Sequence, residues 1–330
     1  MTIFKRLPHL QHNLDLLSGL IHKGQRFLVT MHCRPDGDAA GSAIAMGHIL
    51  RALKKDVTLF NVDLIPDTFT FLPGAKDFVH ELHDTQFDLC IVLDCAEPRL
   101  LGRAFPADRL QCPYAYIDHH AVPWQDCLVN LHDRQASAAG EIVFHLMNAL
   151  GVELNQDIAT ALYTSIITDT GSFRYTSTTP DAMHVCGYLL NTGISVWDIC
   201  SHIYENNPVE KLQLLALVLQ TLWLSPDGKI ACLHATHDML RKCRCSGALT
   251  DGFINYARSI RGVEVSIFLT QLEDNLCRMS FRSRGHIDVS KIAARFDGGG
   301  HKNAAACNVS GAIPAIRENV ANILHDILHS

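Results

Sequence analysis

The sequence has no excess of positive charge. Its 28 lysines and arginines stand against 34 aspartates and glutamates, a formal net charge of -6 in 330 residues. That balance speaks against wrapping long duplex DNA, which needs an extended basic footprint, but not against a small anionic substrate. No run of about 18 uninterrupted apolar residues occurs, so no membrane span is expected. The first residues lack the apolar stretch of a secretory signal, and a cytoplasmic protein is expected. Twelve cysteines are scattered without a Cys-x-x-Cys pair or zinc-finger spacing, so free buried thiols are expected in place of disulfides. Cys243-Arg244-Cys245 comes nearest to a metal pair, but no second pair accompanies it. No internal repeat or low-complexity tract interrupts the chain.

What is present is an apolar fraction of 48%, ample for a packed core and, at this length, for two domains. Residues 10–23 read as a helix. Strand and helix patterns then alternate: strands at 27–31 and 56–62 enclose a helix at 39–53. Continuous apolar runs at 89–93 and 114–117 suit strands buried on both faces. Helical periods cover 138–150 and 157–168. Thr179-Pro180 opens a further helix, with a capping residue and a proline in its first turn, and Gly193 stops it. The expected class is α/β: a mostly parallel N-terminal sheet flanked by helices over residues 1–194. Helices around Asn206-Asn207-Pro208 read as a connector spanning 195–225. A smaller mixed α/β domain is expected over 226–330. It has strands at 230–235, 263–272 and 276–283, a hairpin turn at Glu273-Asp274-Asn275, and helices at 290–296 and 314–328.

Four distant clusters of Asp and His lie at the ends of buried elements. His32, Asp36 and Asp38 follow the first strand, where Pro35 and Gly37 break the backbone. Hard carboxylates with imidazole suit Mn²⁺ or Mg²⁺. A polar turn in which Asp38 caps the following helix is the alternative. Asp94 ends a run of five apolar residues, with Arg99 the one cation nearby. An unpaired buried carboxylate is costly unless it is protonated, paired or metal-bound; an exposed strand end is the alternative. Asp118-His119-His120 follows another apolar run, although His pairs also occur on ordinary surfaces. Asp169 ends a helical pattern, where the helix dipole disfavours negative charge and a cation would compensate. Gathered together, Asp36, Asp38, Asp94 and Asp169 would repel one another or take up protons, and two divalent ions would neutralise them.

In the C-terminal half, Gly298-Gly299-Gly300 lets backbone N–H groups approach a phosphate without obstruction by Cβ, and His301 adds a donor. A flexible turn is the alternative. Arg282 and Arg284, flanking Ser283, could bind a terminal phosphate or stack on a base; a solvated charge is the plainer reading.

Together these motifs resemble the DHH phosphoesterase superfamily. The triplet at 118–120 supplies its name. His32-x-x-x-Asp36-x-Asp38, Asp94 and Asp169-Thr170-Gly171 stand in the order of its other motifs, and the glycine run resembles its DHHA1 domain. Within the superfamily the chain is similar to the group of bifunctional oligoribonucleases and pAp phosphatases. RecJ-type exonucleases add an OB domain for which no stretch is visible, and family II pyrophosphatases have a different C-terminal domain.

The resemblance implies two Mn²⁺ ions, with Mg²⁺ or other divalent ions as substitutes. One sits at His32, Asp36 and Asp94, the other at Asp38, Asp94, His119 and Asp169. Asp118 then orients a histidine and His120 contacts the scissile phosphate or the leaving oxygen. Arg282, Ser283, Arg284, Gly298, Gly299, Gly300 and His301 would bind substrate. Pro123-Trp124, where relatives commonly carry Asn, and Ala306, where they commonly carry Gly, depart from the pattern. The expected partners are short single-stranded RNA or small nucleotides, with no long duplex DNA, no membrane and room for a homodimer. A phosphodiesterase of cyclic or linear dinucleotides (c-di-AMP, pApA, pGpG) is the rival activity. A non-catalytic nucleotide sensor is the rival from another class, and metal-dependent turnover separates it from an enzyme.

Overall fold

The computed structural model describes residues 9–83 and 86–329, apart from the side chains of Ala248 and His301. The chain divides into two compact units, one ending at Asn206 and the other beginning at Asn207. The division falls inside the segment expected to connect the domains. Among the described residues no helix is long and apolar enough to cross a membrane. The cysteines are free thiols.

The first unit runs through α1 (Gln11–Lys23), β1 (Arg26–Met31), α2 (Gly37–Ala52), β2 (Asp56–Phe60), β3 (Phe78–Val79), β4 (Leu89–Leu93), β5 (Tyr114–Asp118) and β6 (Val129–His132). It continues through α3 (Ala139–Ala149), α4 (Gln156–Asp169), α5 (Pro180–Leu190) and α6 (Val196–Tyr204). The six strands form a parallel sheet in the order β3-β2-β1-β4-β5-β6. β4 is buried along its whole length and β1 at every residue after Arg26, so both read as unbroken apolar runs. Alternate side chains serve two cores. Phe27, Val29, Met31, Ile91, Leu93 and Ile117 pack against the helices. Leu28, Cys90, Val92 and Tyr116 face a smaller layer built from Leu101, Phe105, Leu110 and Trp124. This two-residue alternation is the strand's own geometry.

α2 is rich in small residues and buried on nearly every side. Its contact with α4 is close. A Cβ on Gly41 would lie 2.5 Å from the Ala161 carbonyl oxygen, and one on Gly140 at the start of α3 would lie 2.1 Å from Ser165 Oγ. Glycine is required at both positions by approach, not by backbone conformation.

The second unit comprises α7 (Val209–Leu219), β7 (Trp223–Leu224), β8 (Ile230–Ala235), α8 (His237–Cys243), α9 (Ile254–Ser259), β9 (Val265–Glu273) and β10 (Leu276–Ser283). It ends with α10 (Val289–Ala294), β11 (Gly299–His301), β12 (Ala304–Ser310) and α11 (Ile313–His329). Its sheet runs β11-β12-β10-β9-β8-β7, antiparallel except where β8 meets β9. α10 and α11 cover one face and α7, α8 and α9 the other. The expected hairpin joins β9 to β10.

The α2–α3–α4 contact yields a prediction. Gly140→Ala gains up to about 1 kcal/mol of helix propensity. The overlap with Ser165 costs about 1–3 kcal/mol as overpacking does. Chemical denaturation should give a lower midpoint for the variant; a raised midpoint would show that the contact yields easily.

Candidate active site

In the sheet order, β1 lies between β2 and β4, and the chain leaves β1 and β4 towards opposite halves of the sheet. Ligands of open parallel sheets sit outside the carboxyl ends at such a reversal. There the chain delivers His32 and Asp36 after β1, Asp94 after β4, and Asp118, His119 and His120 at the end of β5. α4 ends on Asp169.

Three groups of ligand atoms form, each drawn together within 4.8 Å: His32, Asp36 and Asp94; Asp38, His119 and Asp169; and Asp94, Asp118, His119 and His120. His32 Nε2 lies 3.8 Å from Asp36 Oδ1 and 3.7 Å from Asp94 Oδ2. His119 Nε2 lies 3.5 Å from Asp38 Oδ2, 3.7 Å from Asp94 Oδ1 and 3.6 Å from Asp169 Oδ2. Asp94 therefore turns one oxygen to each histidine. It is 2% exposed, and its Oδ1 accepts no hydrogen bond. Its backbone takes a left-handed conformation, φ 48°, which turns the chain out of β4 while its N–H still bonds Ile117 O at 3.0 Å. Asp tolerates that region better than most residues. Arg99 does not serve Asp94; it pairs with Glu97.

The carboxylates are held from behind. Asp36, and not Asp38, caps α2: its Oδ1 accepts from the amides of Asp38 and Ala39, both at 3.0 Å. Asp38 reaches instead to the amino end of α3. It accepts from Ala139 N at 2.7 Å, Gly140 N at 3.2 Å and Ser165 Oγ at 2.6 Å. The two imidazoles are fixed likewise. His32 Nδ1 donates to Cys33 O at 2.8 Å and His119 Nδ1 to Ala136 O at 3.2 Å, since a carbonyl can only accept. In the neutral ring each Nε2 is then the lone-pair atom, the form a cation between it and the carboxylates would bind. Separations of 3.5–3.8 Å exceed hydrogen bonds and suit ligands around a shared cation. With the orphaned Asp94 oxygen, this donor set fits divalent ions, and its excess of carboxylate favours the hard ones.

The electrostatics say the same. Burial, reinforced by Asp38, pushes the Asp94 carboxyl up to about 7. Burial, with Asp38 and Asp36, pushes Asp169 to about 8. Burial would lower His32, but Asp36 and Asp94 outweigh it and raise the ring to about 11.

Asp118 stands behind His120. It is fully buried, and its Oδ1 accepts from His120 Nδ1 at 2.7 Å and from the amides of His119 and His120. Its Oδ2 accepts from the Tyr116 hydroxyl. Sequence reading passed over Tyr116, yet residues 116 and 118 share a face of one strand, and that spacing could have found it. Trp124 stacks on Tyr116 with ring centroids 5.2 Å apart. The departure at Pro123-Trp124 thus places an aromatic wall behind Asp118. Ser165 and the α3 amides were likewise unforeseen, because a backbone donor leaves no mark in sequence.

In the second unit, Gly298–His301 lies along β11 and its start. Ala304 of β12 pairs with His301 on one side and with Arg282 on the other, so the two sequence motifs meet at one corner of the sheet. The His301 side chain lies outside the described residues. A Cβ on Gly298 would meet Ala306 O and Cys307 Cβ at 2.4 Å. One on Gly300, whose φ is +141°, would meet Ala304 O at 2.5 Å, whereas Gly299 faces open space. Arg282 donates to Phe281 O at 2.9 Å. Arg284 bonds the carbonyls of Arg258 and Ile260 at the end of α9, and the buried Ser283 bonds Asn303.

Comparison with known proteins agrees with this layout. The model of the DHH family, N-terminal domain, matches residues 26–166, and that of the DHHA1 domain matches residues 244–328. The bifunctional oligoribonuclease and PAP phosphatase of Thermus thermophilus is 31% identical over 287 residues, covering 86% of this chain and 84% of that one. Its counterpart in Bacillus subtilis is 27% identical, covering 84% and 87%. A crystal structure of an exopolyphosphatase-related protein from Bacteroides fragilis, 26% identical, superposes with a TM-score of 0.88 over 100% of this chain and 97% of its own.

The crowded carboxylates predict a pH dependence for the ion-free protein. Asp94 and Asp169 have folded pKa values raised above the unfolded 3.8, to about 7 and about 8. The stability they contribute is complete in acid and is lost as pH rises through those values. His32, raised from 6.5 to about 11, acts in the same direction above pH 6.5. In chelator the melting temperature should fall between about pH 5 and pH 8, and saturating Mn²⁺ should remove most of that fall. Parallel curves with and without Mn²⁺ would contradict the account.

Proposed function

The chain belongs to the DHH family of phosphoesterases and carries a DHHA1 domain, and we propose that it hydrolyses short oligoribonucleotides and dinucleotides to mononucleotides and dephosphorylates 3′-phosphoadenosine 5′-phosphate. The observation that carries the reading is Asp94, one buried carboxylate offering an oxygen to each of two ligand groups. Two Mn²⁺ ions are proposed there, one at His32, Asp36 and Asp94 and one at Asp38, Asp94, His119 and Asp169. When bound, such ions supply Lewis-acid charge to phosphoryl oxygens and acidify a coordinated water. The chain's own residues do the rest. Asp118 holds His120 at Nδ1, so that Nε2 is the atom available to the scissile phosphate or the leaving oxygen. Tyr116 holds Asp118 in turn.

The DHHA1 domain is proposed to bind substrate. Gly299 is the better-supported contact: it faces open space, whereas Arg282, Ser283 and Arg284 already bond neighbouring groups. The relatives named above act, by their names, on oligoribonucleotides and PAP. The short length of the substrate follows from charge. With a net charge of -6 and no basic stripe, each added nucleotide contributes little affinity.

Two measurements test this. Asp94→Asn keeps a residue that accepts the left-handed backbone but removes the shared charge. It should lose both ions by elemental analysis, and nearly all turnover, with an unchanged circular dichroism spectrum. Two ions retained in the variant would refute the bridging role. In Mn²⁺, kcat/KM measured on 5′-labelled RNAs should peak at two to about five nucleotides, a range set by weak per-nucleotide electrostatics, and decline beyond. Including pAp, pApA, pGpG and c-di-AMP in the panel ranks the rival dinucleotide activity. A rate that holds or rises with length would point to a RecJ-like exonuclease, and binding without Mn²⁺-dependent product to a sensor.

A further inference from the structure

A second cluster of ligand atoms lies wholly within the second unit, away from every motif considered so far. His325 and His329 are four residues apart on α11, so their rings lie over one another on one helix face, with centroids 4.1 Å apart. Asp227, in the turn between β7 and β8, faces both. Its Oδ2 lies 3.9 Å from His325 Nδ1 and 3.5 Å from His329 Nε2. The three ligand atoms fall within 4.8 Å of one another.

Two of the three members are held in a state suited to a cation. Asp227 Oδ1 is taken up by Ser225 Oγ at 2.5 Å and Lys229 N at 3.2 Å, which leaves Oδ2 for the histidines. The Ser225 hydrogen bond, foremost, keeps this carboxyl below the usual carboxylate range, so it is ionised at neutral pH. His329 Nδ1 donates to His325 O at 2.9 Å, so its Nε2 carries a lone pair in the neutral ring. The helix under the pair is anchored: Val320 and Leu324 are fully buried against the sheet, and Arg317 stacks over Trp223 of β7. Separations of 3.5 and 3.9 Å are too long for hydrogen bonds. Two imidazoles one helical turn apart, joined by a carboxylate, form a known chelating arrangement for borderline ions.

We propose that Asp227, His325 and His329 form a binding site for one Zn²⁺-class divalent ion, which clasps the last turn of α11 to the β7–β8 turn. Two nitrogens and one oxygen select zinc, nickel or cobalt over manganese, so this site differs in preference from the carboxylate-rich one at Asp94. All three residues reach solvent, so an ion can enter and water can complete its shell. Among the described residues no further His, Cys, Asp or Glu joins the three, and the role assigned is structural.

The test uses the full chain, stripped with chelator, loaded with zinc in the presence of excess Mn²⁺, passed through a desalting column and assayed for bound zinc. Asp94→Asn, His325→Ala, His329→Ala and the double variants with Asp94→Asn are compared with the wild type. The expected result is one zinc equivalent fewer in each histidine variant, on either background, with zinc affinity on the order of 100-fold weaker, the upper end of what lost supporting partners cause. Zinc should raise the melting temperature of the Asp94→Asn protein but not of Asp94→Asn/His329→Ala. Mn²⁺-dependent hydrolysis of bis-p-nitrophenyl phosphate should be the same in His329→Ala as in the wild type. Equal zinc content in the wild type and both histidine variants would overturn the proposal, whatever becomes of the site at Asp94.

Discussion

The first unit is organised around one electrostatic problem: Asp36, Asp38, Asp94 and Asp169 are brought to one sheet edge, where like charges repel and burial strips water from Asp38 and Asp94. The fold meets part of that repulsion with fixed dipoles. Asp36 caps the amino end of α2, and Asp38 takes the first amides of α3. Helix amino ends carry partial positive charge and spare N–H groups, which helps hold Asp36 below the usual carboxylate range, whereas burial still raises Asp38 despite its donors. Asp94 and Asp169 have no such help. Asp94 leaves an oxygen without a hydrogen bond, and Asp169 ends α4, where the dipole has the wrong sign. Burial pushes those two carboxyls to about 7 and about 8, and it raises the Asp38 carboxyl between them as well. The deficit of positive charge is therefore localised between the two histidines, where a cation removes it.

Holding Asp38 in this way dictates how the helices pack. Its partners come from α3 and α4, so α2, α3 and α4 must approach within the reach of one short side chain. Gly41 and Gly140 permit that approach and a methyl group at either would obstruct it. Glycines in a helix interior lower its intrinsic stability. They are tolerated because α2 is buried on nearly all sides, and packing, not propensity, holds it.

Buried parallel strands announce themselves in sequence because both faces are apolar, so β1, β4 and β5 could be placed together with the acids at their ends. The strands that escaped notice lack that mark. β6, Val129–His132, is a short edge strand with Asn and His among its four residues. β12 begins Ala304-Ala305-Ala306, residues without strand preference, and pairs only because β10 lies beside it. The alternative of Asp38 as the cap of α2 lies two residues off, since Asp36 and Asp38 both satisfy the composition of a cap. Extended backbone at Asp36 settles which one turns its oxygen back. That these acids and histidines converge was inferable from the ends of buried elements, whereas which of them group with His32 and which with His119 was implied by the resemblance alone. The backbone donors behind them were not inferable, because every residue has an amide and only the path of the chain decides where it points.

The glycine run illustrates how one motif can answer to two demands. Gly298 and Gly300 are required by β12 itself, whose Ala304, Ala305, Ala306 and Cys307 leave no room for a Cβ. Neither need be glycine for a ligand's sake. Gly299 differs: nothing stands within 4 Å of the place its Cβ would occupy, so packing gives no reason for glycine there. It pairs across the strands with Ala306, the position where the resemblance leads one to expect another glycine. Cross-strand partners project to the same face, so the Ala306 methyl stands beside the opening at Gly299. Two residues further along, Ala304 separates His301 from Arg282 in the register. A phosphate approaching that corner would meet a bare backbone at 299 and a guanidinium at 282, with a methyl at 306 narrowing one side. The substrate reading thus rests on Gly299, and the departure at Ala306 acts on the shape of the same small surface.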